Sequence, residues 1–118
     1  MALRTLTLAD FPAVTGADGI TLIDFWAPWC PPCRMFGPIF EKAAEAHPDL
    51  TFAKVNTDEE QELSAMLGIA SIPTLMIFRD GVLVFSQPGA IGAKDLDRVI
   101  GLVKDLDMAE VKADAATA

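Results

Sequence analysis

Thr21-Leu22-Ile23-Asp24-Phe25-Trp26-Ala27-Pro28-Trp29-Cys30-Pro31-Pro32-Cys33 is the stretch on which the reading of this chain turns. Up to Ala27 it is β-branched, aliphatic or aromatic on both alternating faces with Asp24 as the exception, the pattern of a central strand covered on both sides. It then runs straight into two cysteines separated by two prolines. Beyond them Phe36, Ile39, Phe40, Ala43 and His47 recur at helical spacing, while Arg34, Glu41, Lys42 and Glu45 take the other side and Pro48 marks the end. The cysteine pair therefore falls at a strand-to-helix junction.

Working outward, residues 50–55 read as a second strand, parallel to the first because a helix connects them. Asp58 with Gln61 resembles a helix-capping pair, Leu63, Met66 and Leu67 give a short apolar stripe, and Gly68 supplies the stop. Residues 74–79 and 82–87 flank Asp80-Gly81, a two-residue turn suited to an antiparallel hairpin. A last helix is expected over residues 93–106, with Leu96, Val99, Ile100, Val103 and Leu106 facing the sheet and Gly92 as its cap. At the other end, residues 4–6 read as an edge strand, and Thr7 with Asp10 as the cap of a short helix interrupted by Pro12. The expectation is one domain over residues 1–107 and a frayed tail over 108–118.

The chain has 118 residues, 52% of them hydrophobic, which is enough for a single core and too little for two domains. Its formal charge of −8, with the basic residues spread singly, argues against binding a phosphate backbone. No run approaches the ~18 apolar residues of a membrane span, and residues 1–10 lack a signal-like apolar stretch, so no membrane association and a cytosolic location are expected.

Two cysteines this close cannot staple a secreted domain, and in a reducing compartment they suggest redox chemistry or metal. Zinc needs about four ligands, and beyond the pair the chain offers only His47, at the end of a helix where a capping role suits it better. No metal is expected within one chain. A metal shared between two chains would supply the missing ligands and is the alternative.

Thiol exchange requires one accessible cysteine that ionises readily and a second able to attack the mixed disulfide it forms. Cys30 lies where free N–H groups and the positive end of a helix favour a thiolate, so it is assigned as nucleophile. Cys33, one turn inside, is assigned as the resolving thiol. Asp24 shares a strand face with Leu22 and Trp26 and is expected to be desolvated. Its raised pKa then suits it to exchange a proton with Cys33. Pro38, in mid-helix, removes a backbone hydrogen bond and predicts a kink.

With these residues placed, the chain resembles the thioredoxin family from about Leu3 to Asp107. The resemblance runs through Asp24-Phe25-Trp26-Ala27, Trp29-Cys30-x-Pro32-Cys33, Pro38, Ile72-Pro73-Thr74, Asp80-Gly81 and Gly89-Ala90. It implies an α/β fold, with a mixed sheet of four or five strands, helices on both faces and a cis Ile72-Pro73 bond beside the cysteines. It also implies a redox-active Cys30–Cys33 disulfide with no other cofactor, protein disulfides as substrates, a thioredoxin reductase as partner, and a monomer. The Ile72 backbone is implied to pair with extended substrate, with Trp29, Pro32, Pro73, Gly89 and Ala90 completing an apolar contact surface and Trp26 packed beneath. Lys54 matches a lysine that moderates the buried carboxylate.

Three departures stand out, a smaller one being Pro88 just before Gly89. Pro31 replaces the usual glycine, removing an N–H near Cys30 and stiffening the start of the helix, so it is marked as a tuning position. Ala70-Ser71 precedes Ile72 where many relatives carry a basic residue and glycine. The expected activity is protein disulfide reduction. The alternatives are an oxidant or isomerase on the same fold, and an interaction module whose cysteines are incidental.

Overall fold

In the computed structural model, which describes residues 3–117 and the side chains of residues 3–114, a five-stranded sheet is flanked by helices on both faces. The chain runs β1 (Leu3–Thr5), α1 (Phe11–Thr15), β2 (Ile20–Trp26), α2 (Pro31–Ala46), β3 (Thr51–Asn56) and α3 (Gln61–Met66). It continues through β4 (Thr74–Arg79), β5 (Val82–Pro88), α4 (Ala93–Lys104) and α5 (Met108–Thr117). The strand order is β1-β3-β2-β4-β5, with β1, β3 and β2 parallel and β4 and β5 antiparallel to their neighbours. β2 is thus central, as its two-sided apolar pattern requires.

Alternation along β2 divides the core. Leu22 faces Phe36 and Phe40 of α2, Phe52 of β3, and Leu96 and Ile100 of α4. Ile23 and Phe25 face the other way, towards Leu6, Leu63 of α3 and Met76. The Phe40 and Phe52 rings meet edge-on at 5.2 Å, locking α2 to the sheet. α2 begins at Pro31, a residue suited to the first turn because its missing N–H is not needed there.

Three details depart from expectation. Asp58 does not cap a helix: α3 starts at Gln61 with Glu60 in the cap position, and the Glu60 carboxylate instead accepts the Leu8 N–H at 2.9 Å. Pro12 sits in the first turn of α1 rather than interrupting it. Residues 108–117, expected to fray, form α5, because the Asp107 carboxylate accepts the N–H groups of Ala109 (3.1 Å) and Glu110 (3.3 Å) and the segment behind is alanine-rich. The Asp80-Gly81 turn has φ angles of 52° and 83°, as a primed hairpin turn demands. Among the described residues no helix is long and apolar enough to cross a membrane.

Candidate active site

β2 ends at Trp26, and four residues later Cys30 takes an extended conformation (φ −94°, ψ 109°) as the N-cap of α2. Pro31 and Pro32 occupy the first helical positions and carry no N–H, so Cys33 is the first residue of the helix able to donate one. Its N–H lies 3.2 Å from Cys30 Sγ, the capping geometry that stabilises negative charge on that sulfur. Cys30 and Cys33 are joined as a disulfide, with Cα atoms 5.2 Å apart.

Both cysteines of the oxidised pair are buried, Cys30 at 3% and Cys33 at 4% exposure. The expected contrast in accessibility is therefore absent, because Ala27, Trp26 and Ile72 pack around both sulfurs. What distinguishes them is position: Cys30 Sγ receives the helix N–H and Cys33 supplies it.

Ile72 approaches from the opposite side, its carbonyl oxygen 3.7 Å from Cys30 Sγ, and the Ile72-Pro73 bond is cis. The Gly89 N–H donates to the Pro73 carbonyl at 2.7 Å and draws the end of β5 to the same place. Gly89 has φ 93°, a conformation for which glycine is suited. Trp29 (63% exposed), Pro32, Gly89 and Ala90 are open to solvent, Ile72 is half-buried and Pro73 is buried. Chain segments distant in sequence thus gather at one end of the sheet.

Asp24, completely buried in the middle of β2, has neither carboxylate oxygen hydrogen-bonded among the described residues. Burial pushes its pKa from 3.8 up to about 6, opposed by the Lys54 ammonium, whose Nζ lies 4.0 Å from Oδ2. Lys54 is brought there by register, since β3 pairs Lys54 with Asp24. Its Nζ also lies 4.6 Å from the centre of the Trp26 ring, so a cation–π contact fixes the ammonium beside the carboxylate. A charge deprived of hydrogen bonds and only partly offset by a cation is poised to take up a proton.

Asp58 was missed as part of this site. Its two carboxylate oxygens accept from Trp29 Nε1 at 3.2 and 3.0 Å and hold the exposed indole. No sequence signal links residues so far apart, and the nearby Gln61 made a helix cap the natural reading. His47 stands apart, at the C-terminus of α2 with its Nε2 3.8 Å from Asp97 of α4, where its expected capping role places it. No cluster of three or more metal-ligating side chains occurs among the described residues.

A disulfide at the mouth of a helix, on a mixed sheet with a buried carboxylate behind it, defines a dithiol–disulfide oxidoreductase. The thioredoxin family model matches residues 3–102. Putative thioredoxin 2 of Streptomyces coelicolor is 53% identical over 107 residues, covering 91% of this chain and 80% of that protein. Thioredoxin of Alicyclobacillus acidocaldarius is 51% identical over 81 residues, covering 68% and 77%. Among solved structures, a mutant thioredoxin from Halobacterium salinarum superposes with a TM-score of 0.80 at 32% identity, covering 88% of this chain and 92% of that one. The chain belongs to the thioredoxin family and is a thiol–disulfide oxidoreductase.

Proposed function

We propose that the protein is a monomeric cytosolic electron carrier that reduces protein disulfides and is returned to the dithiol by a thioredoxin reductase. The observation that carries this reading is the Cys33 N–H directed at Cys30 Sγ where α2 begins. In the reduced protein the same donor and helix end favour the Cys30 thiolate at neutral pH.

Cys30 attacks one sulfur of the substrate disulfide. The substrate S–S bond breaks, the second substrate sulfur leaves as a thiolate that takes up a proton, and a mixed disulfide remains. Cys33 passes its proton to Asp24, directly or through water, and its thiolate attacks Cys30 Sγ. The mixed disulfide breaks, the remaining substrate sulfur departs and is protonated, and the Cys30–Cys33 bond closes. Two electrons have moved to the substrate.

Around this exchange, the Ile72 backbone receives an extended stretch of substrate, while the exposed Trp29, Pro32, Gly89 and Ala90 supply apolar contact that tolerates varied sequences and the buried Pro73 backs that wall. Lys54 limits the rise in the Asp24 pKa. Pro31 withholds a backbone donor from Cys30 and so tunes the thiolate. A reducing compartment suits this direction of electron flow.

Turnover of a model protein disulfide with a thioredoxin reductase tests the reading. Cys30→Ser is expected to abolish turnover, and Cys33→Ser to accumulate mixed disulfides visible by mass. Full turnover by Cys30→Ser overturns the assignment.

A further inference from the structure

Beside Ile72, on the α3 side of the sheet, lies a cavity of about 190 Å³ that the exchange chemistry does not use. Its apolar wall is formed by Leu67, Ile69, Ala70, Met76 and Pro88, and Leu67 and Ile69 pack on the buried core behind it. Its polar residues are Ser71, Thr74 and Ser86, and no charged residue lines it. The Thr74 hydroxyl is already committed to the Ser71 carbonyl. A dry cavity of about 150 Å³ holds a benzene ring, so this one has room for a leucine or methionine side chain.

The cavity is lined by the chain neighbours of the substrate edge. Ser71 and Thr74 bracket the Ile72-Pro73 bond, and Pro88 directly precedes the Gly89 whose N–H is bonded to Pro73. An extended chain passing Ile72 advances roughly 7 Å over two residues and turns alternate side chains to the same face. A side chain close to the attacked half-cystine can therefore reach it. Ala70, an exposed residue of the lining, contributes only a methyl group, so a larger side chain there would take up part of the space.

We infer that this cavity is a specificity subsite for substrate polypeptides, which seats an uncharged apolar side chain within two residues of the disulfide being reduced. The inference rests on the proposed substrate edge at Ile72. It makes the protein selective for disulfides flanked by leucine-sized apolar residues, through a pocket separate from the contact surface around Cys30.

The test uses the reduced full-length protein and short peptide disulfides. Leucine or its near-isostere asparagine is placed, one position at a time, within two residues of the half-cystine on either side, and the second-order rate constant is read by stopped flow. One position is expected to favour leucine by about tenfold, the selectivity an apolar pocket gives. Ala70→Phe, which takes up space in the cavity, is expected to reduce that ratio to below about twofold, and Ser86→Phe does the same from β5. No position with a preference above about threefold, or a preference retained in both folded variants, overturns the subsite. Glutathione disulfide separates this from the larger reading: a protein that reduces it and every peptide without preference loses only the subsite, whereas one that reduces none of them loses the reductase assignment too.

Discussion

Asp24 shows how much one buried residue can set. Its folded-state pKa near 6 exceeds the unfolded value of 3.8, so between those values the folded protein binds a proton that the unfolded chain has released. Stability from this group is therefore fully present below the unfolded pKa and is lost as pH rises through 6. At about 1.4 kcal/mol per pKa unit the loss is roughly 3 kcal/mol, complete by about pH 7. Asp24→Asn removes the titration while keeping the shape. Its stability relative to the parent, measured by urea unfolding, is expected to improve by roughly 2–2.5 kcal/mol between pH 4 and pH 8. A difference that stays constant with pH would show that the carboxylate is not held against burial. The same substitution removes the proton acceptor for Cys33, so mixed disulfides should persist longer near neutral pH. Asp24 was legible in sequence because strand alternation put it on a face too apolar to be wet. Its cation–π-anchored neighbour was legible only through resemblance, since the Lys54 contact with Trp26 depends on register between β2 and β3.

At the scale of the element, the joint between β4 and α4 is held by Arg79, the last residue of β4. One guanidinium nitrogen, Nη1, donates to the carbonyls of Val103 (2.7 Å), Lys104 (3.0 Å) and Leu106 (3.0 Å). Val103 and Lys104 close α4 and Leu106 lies just beyond its C-cap, at the negative end of the helix dipole, so a cation is favoured there. Arg79→Met keeps the stem and removes the donor, and is expected to cost about 2–3 kcal/mol in urea unfolding. Arg79→Lys should recover only part, because an ammonium lacks the planar fork. A loss below about 0.5 kcal/mol in Arg79→Met would mean water replaces the cap without penalty. Nothing in the sequence announced this joint: Arg79 read as the residue before an Asp-Gly turn, and its acceptors are backbone atoms without a signature. The elements themselves were easier. β2, α2 and the hairpin carry strong periodicity and turn chemistry, whereas α3 began late because Asp58 had a distant partner, Trp29, competing for its carboxylate.

At the scale of the molecule, the remaining issue is where the cooperative unit ends. The three carbonyls held by Arg79 extend to Leu106, so the contacts that fix the end of α4 are complete before α5 begins at Met108. Within α5, Met108 and Val111 are the half-buried residues among the described side chains, and the rest are exposed. A helix this short is marginal in water on its own, and its formation here rests on the Asp107 cap and its alanines rather than on a large apolar face. The family match likewise ends at residue 102. Among the described side chains, residues 108–114 contribute little buried surface, and none of them lines the cysteine pair or the Ile72 edge. The protein truncated after residue 107 is therefore expected to unfold cooperatively with Tm lowered by less than about 4 °C, the shift that ~1 kcal/mol produces in a domain of this size. Its turnover with a thioredoxin reductase should remain within about twofold of the full chain, a change that reflects well under ~1 kcal/mol in the barrier. A Tm reduced by more than about 10 °C would instead make α5 part of the cooperative core.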